Sequence, residues 1–72
     1  MPITKWDIAY RRLYIYINEY NDRVTRDNVT KIADILAKDK GLNEKETQDL
    51  RESAVYLYLH FFDENGHYNG GK

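Results

Sequence analysis

Two stretches of this chain alternate tyrosine with an aliphatic residue: Leu13-Tyr14-Ile15-Tyr16-Ile17 and Val55-Tyr56-Leu57-Tyr58-Leu59. Period-two alternation and a wealth of Tyr, Ile and Val favour strands. Two such strands with no third would form an isolated pair, which is marginal in water. The residues ahead of each stretch decide for helix. Thr4-Lys5-Trp6-Asp7 and Asn43-Glu44-Lys45-Glu46 have the spacing of capping boxes, with a side-chain oxygen to accept from the first turn and a carboxylate three residues on. Trp6, Tyr10, Leu13, Ile17 and Tyr20 then recur at steps of 4, 3, 4 and 3, and Leu50, Ala54, Leu57 and Phe61 at steps of 4, 3 and 4. Each set falls on one helical stripe.

A third helix is expected between them. Thr25 is placed to cap it, and Val29, Ile32, Ala33 and Leu36 form its apolar stripe. Gly41 supplies a left-handed stop, with Lys38 and Lys40 in the last turn, where cations suit the negative end of the helix dipole. The spacing thus predicts an all-α fold, a small three-helix bundle over residues 1–63 with helices at about 4–21, 26–40 and 43–63. Connections as short as these imply adjacent, roughly antiparallel helices. Residues 64–72, "ENGHYNGGK", are rich in Gly and Asn and are expected to form a flexible, disordered tail.

A chain of 72 residues without cysteine has no disulfide, thiolate metal site or cysteine nucleophile to draw on. A domain this small buries only about 60% of its unfolded surface. Its stability must come from close packing, or from association with another chain, and a homodimer is one expectation.

Some apolar residues are not needed by the core. At about 100° per residue, Ile8 and Ile15 fall opposite the Trp6 stripe of the first helix. Arg11, Arg12 and Glu19 flank them, and apolar anchors rimmed by arginine match the make-up of protein interfaces. Seven tyrosines are many for this length. Tyrosine offers a large contact area at low entropic cost, so Tyr14 and Tyr56 join the candidate contact residues. Part of the tyrosine set also suits the edge of a small core, with hydroxyls in water. Val55, Tyr58, Leu59 and Phe62 widen the apolar arc of the last helix and are read mostly as core, with Tyr56 and His60 on its polar side.

Nucleic acid is the second candidate partner. The run from Val24 to Leu57 resembles a helix-turn-helix in its Ile32-Ala33 pair, Leu36, turn Gly41 and capped second helix. From Ala33 to Gly41 is eight residues, about one turn more than the compact motif holds. The would-be recognition helix opens with Glu44, Glu46, Asp49 and Glu52 against Lys45 and Arg51, a net −2 facing a polyanion. A nucleic-acid surface would instead draw on Arg11, Arg12, Arg23, Arg26 and Lys31. The whole chain has net charge −1, split as +2 over residues 1–31 and −3 over residues 32–72.

Catalytic chemistry finds little to use. There is no Ser-His-acid set and no phosphate-binding glycine loop, and a chain this short leaves little room for a substrate pocket. No enzyme activity, small-molecule substrate or cofactor is expected. His60, Glu64 and His67 would align as metal ligands only if the last helix ran past Asn65-Gly66, so no metal site is expected either. No apolar run approaches the roughly 20 residues that span a bilayer. The N-terminal "MPITKWDIAYRR" lacks the pattern of a secretion signal, so the expected location is cytoplasmic. The reading that remains is a small regulatory or accessory protein that binds another protein, or itself, through a helix face.

Overall fold

The computed structural model describes residues 2–70 and contains three α-helices: α1 (Lys5–Glu19), α2 (Val29–Asp39) and α3 (Glu44–Phe61). A single 3-10 turn, Asn21–Arg23, follows α1. Both predicted capping boxes are formed. Thr4 Oγ1 accepts from the Asp7 N–H at 3.1 Å, while Asp7 Oδ2 accepts from the Thr4 N–H at 3.1 Å. Asn43 and Glu46 make the same reciprocal pair at 2.8 and 3.1 Å. Each box satisfies two of the N–H groups that a helix start leaves without partners.

α2 begins later than its spacing suggests. Thr25 and Asn28 form a reciprocal pair of their own, Asn28 N–H to Thr25 Oγ1 at 3.1 Å and Thr25 N–H to Asn28 Oδ1 at 2.7 Å. Residues 26–28 form the turn this pair encloses, so regular helix starts at Val29. At its other end, Gly41 adopts φ +67. The Leu42 N–H reaches the Ala37 carbonyl at 3.0 Å and the Gly41 N–H reaches that of Lys38 at 3.1 Å, the Schellman pattern.

The core is one cluster drawn from all three helices. α1 contributes Ala9, Leu13 and Ile17; α2 contributes Val29, Ala33 and Ala37; α3 contributes Leu50, Ala54, Leu57, Tyr58 and Phe61. Val24 and Phe62 close it at the edges. Small residues at Ala9, Ala33, Ala37 and Ala54 let the helix axes approach, and the larger side chains interdigitate between them. Three details depart from the predicted stripes. The centre of α1 is Ala9, with Trp6 and Tyr10 half-buried against the core and Tyr20 exposed. On α2, Ala37 is buried while Ile32 and Leu36 are half-buried. On α3, Leu59 is exposed, so it is not the core residue its neighbours suggested.

α2 and α3 share the most extensive interface, with Arg51 Nε 3.4 Å from Asp34 Oδ1 across it. Residues 64–70, where composition predicts a flexible tail, carry specific contacts. Phe62 and Tyr68 form an antiparallel bridge, and the Asn69 N–H reaches the Phe61 carbonyl at 2.7 Å. The Tyr68 ring lies 6.1 Å from that of Phe61 and 5.8 Å from that of Phe62, and its hydroxyl bonds Asn18 Oδ1 on α1. Met1, at the start of the predicted bundle, and Gly71 and Lys72, at the end of the predicted tail, lie outside the described residues.

Candidate functional site

The candidate site lies among the residues the core leaves out. Ile8 is 38% exposed and Ile15 52% exposed, although both are large aliphatics. They are seven residues apart on α1, which puts them about 10 Å apart and within about 20° of one stripe. Arg11, Arg12 and Glu19 share that outward face, and all three are exposed. The helix holds the strip outward because Ala9, Leu13 and Ile17, on the opposite side, are fully buried.

Two interactions fix what borders the strip. Arg12 Nη1 lies 3.5 Å from Asp39 Oδ2, so this edge of the strip meets the last turn of α2. On the other side, the Tyr14 ring meets Phe61 of α3 edge-on at 5.0 Å. Tyr14 is therefore a partly exposed bracket between α1 and α3 as well as a candidate contact. Tyr56 is 74% exposed on the outward face of α3. It belongs to a second surface, separate from the Ile8–Ile15 strip.

Two exposed aliphatics on the helices escaped sequence reasoning. Ile35 is 68% exposed on α2, one turn before Asp39. Its signal was present: two steps of about 100° from Ala33 place it opposite the buried stripe. Leu59 is 59% exposed on α3 and shares an outward arc of about 80° with Asp49, Glu52 and Tyr56. A run of apolar letters around Leu57 hid it.

The cations of the nucleic-acid alternative are spread over several elements: Arg11 and Arg12 on α1, Arg23 in the 3-10 turn, Arg26 in the turn before α2, and Lys31 on α2. All five are exposed. Two are engaged within the chain, Arg12 with Asp39 and Arg23 over the Tyr20 ring at 5.7 Å. The start of α3 carries Glu44, Asp49 and Glu52 exposed and Glu46 half-buried in its capping pair with Asn43, with Arg51 turned toward Asp34.

Elsewhere the surface offers an open concavity of about 450 Å³, lined by Leu42, Glu44, Thr47, Gln48 and Arg51. This is more volume than the length of the chain suggested, but its charged side chains are exposed or half-exposed at the mouth of a shallow depression. The indole Nε1 of Trp6 is buried without a hydrogen-bond partner among the described residues, beside the stacked Tyr10 ring at 5.2 Å. α3 ends at Phe61, so His60, Glu64 and His67 do not line up along one helix. His67 instead turns toward Asp63, with Nδ1 3.8 Å from Oδ2. Among the described residues there is no group of three or more His, Asp or Glu side chains that could hold a metal ion. No helix among them is long and apolar enough to cross a membrane.

Asp63 sits in a distinct hydrogen-bonding environment. Its Oδ1 accepts from the backbone N–H groups of Asn65 and His67, each at 2.9 Å. The bond from His67 is the main cause of a carboxyl pKa below its ordinary value, assisted by the Asn65 bond and the nearby imidazole. The carboxylate organises the turn that returns Tyr68 to the bundle.

Compared with protein-family models, curated proteins and solved structures, the chain matches none.

Proposed function

We propose that this chain is a non-catalytic protein-interaction module, a small regulatory or accessory protein whose contact surface is the outward face of α1. One observation carries the reading: Ile8 and Ile15 stand exposed on a helix whose opposite side already fills the core. Ile8 is 38% and Ile15 52% exposed, so burying what remains of each against another chain gains about 0.5–1.5 kcal/mol. Arg11 and Arg12 supply the polar rim that fixes orientation, and Glu19 lies at the end of the strip. The reading supports a location in the cytoplasm, where a chain without cysteine loses nothing to a reducing environment.

The test is the double substitution Ile8→Asp with Ile15→Asp. Helix content by circular dichroism is expected to stay close to that of the unaltered chain, while association measured by sedimentation falls. Loss of helix content would mean that these residues support the core, and unaltered association would remove α1 as the contact surface.

A further inference from the structure

The outward face of α3 has the make-up that the α1 strip calls for. Tyr56 and Leu59 are its exposed apolar anchors, and Asp49 and Glu52 lie beside them on the same arc. Lys45 shares this arc with Asp49 and Glu52, which leaves the arc net −1, while Arg51 is turned away toward Asp34. On α1 the anchors are Ile8 and Ile15, with Arg11 and Arg12 at the edge and Lys5 one turn ahead. Taken whole, α1 carries net +1 and α3 net −2.

We infer that the occupant of the α1 strip is a second copy of this chain, which presents the Asp49–Glu52–Tyr56–Leu59 face of its α3. The inference rests on the reading of α1 as a contact surface and names its partner. Pairing α1 with α1 instead would bring the Arg11 side chains of two copies together near the centre of the contact, a like-charge approach that costs affinity. Pairing α1 with α3 sets arginine against carboxylate and isoleucine against tyrosine and leucine. The contact is between different surfaces, so it is heterologous: each copy keeps one face free, and growth does not stop at two. A single helix face on each side is small for an interface, which makes the association weak and reversible.

Complementation tests this directly. One variant carries Ile8→Gln with Ile15→Gln, and the other carries Tyr56→Gln with Leu59→Gln. The neutral replacements prevent the altered faces from attracting one another, and glutamine suits an exposed helix position. In sedimentation equilibrium up to about 1 mM, where a weak contact of this size is populated, the average mass of the unaltered chain is expected to rise past that of a dimer. Each variant alone is expected to stay monomeric, its self-association weakened roughly tenfold or more. Their mixture is expected to form a one-to-one complex and nothing larger, because only one intact pair of faces remains. Added salt is expected to weaken that complex.

Self-association of the α3 variant at full strength would overturn the inference and leave α1 paired with itself. Full association of the α1 variant would overturn both the inference and the reading on which it rests. An unaltered chain that stays monomeric throughout would overturn the inference alone and leave the α1 strip to a different protein. Circular dichroism of both variants checks that helix content is retained.

Discussion

Arg12 and Asp39 face one another across the seam between α1 and α2, with Nη1 3.5 Å from Oδ2. Both side chains are more than half exposed, so the pair lies in water rather than in the core. It marks the boundary of the Ile8–Ile15 strip and leaves Arg11 as the rim arginine not paired to a carboxylate among the described residues. An exposed ion pair of this kind contributes about 0–1 kcal/mol. Replacing Asp39 by Asn is therefore expected to move the thermal midpoint only slightly, and a scanning calorimetry trace that lost its transition would contradict that placement.

The three-helix core and the outward faces separate cleanly by substitution. Leu13 is fully buried between Ala9 and Ile17, and Leu13→Ala is expected to cost about 2–5 kcal/mol, enough to unfold a domain of this size. Leu59→Ala is expected to change stability by less than about 0.5 kcal/mol, because the side chain is exposed. Urea unfolding of the two variants measures the contrast, and comparable losses in both would show that α3 is turned differently about its axis.

Gly41 closes α2 in a left-handed conformation, φ +67, and a methyl group added there would meet nothing within 4 Å. Space is free, so the cost of Gly41→Ala is the backbone strain alone, about 1–2 kcal/mol. A denaturant midpoint unchanged by this substitution would mean that the Schellman turn does not hold the α2–α3 connection.

Asp63 gives the returning C-terminal turn a pH dependence of known sign. Its folded pKa lies below the ordinary value of 3.8, chiefly through the His67 N–H bond. The charged form therefore favours the turn above that ordinary value, and the contribution fades as pH falls through the lower folded value. On acidification the Tyr68 ring signals are expected to move toward those of a free tyrosine while the Leu13 methyl signals hold. Asp63→Asn is expected to loosen the same ring at neutral pH, and Tyr68 signals indifferent to both changes would contradict this role for the carboxylate.

Much of this architecture is legible in the letters because it rests on local rules. Thr4 with Asp7 and Asn43 with Glu46 announce helix starts by their spacing, and Gly41 announces an end. Where two local patterns compete, the reading slips. Thr25 is indeed paired three residues on, but the pair encloses a turn and delays α2 to Val29. Tyr20 continues the α1 period in sequence, yet the helix ends at Glu19 and the ring packs on Tyr16 and Arg23 outside the core. Leu59 reads as core only until the neighbours of α3 are known. The bond from Tyr68 to Asn18 joins residues fifty positions apart, and no spacing rule carries that information. The Ile8–Ile15 strip was legible because its period is helical and its opposite face was already assigned. Ile35 was missed because it stands alone on α2.

Whether the outward face of α1 meets protein rather than nucleic acid is decided by amide-resolved NMR on one labelled sample. The chain is followed first as its own concentration rises and then against a short mixed-sequence DNA duplex at low and moderate salt. Concentration-dependent shifts are expected at Ile8, Arg11 and Ile15, with slower tumbling and no comparable response to DNA. Shifts confined to Arg11, Arg12, Arg23, Arg26 and Lys31 that appear with DNA and fade with salt, beside spectra indifferent to concentration, would contradict that expectation.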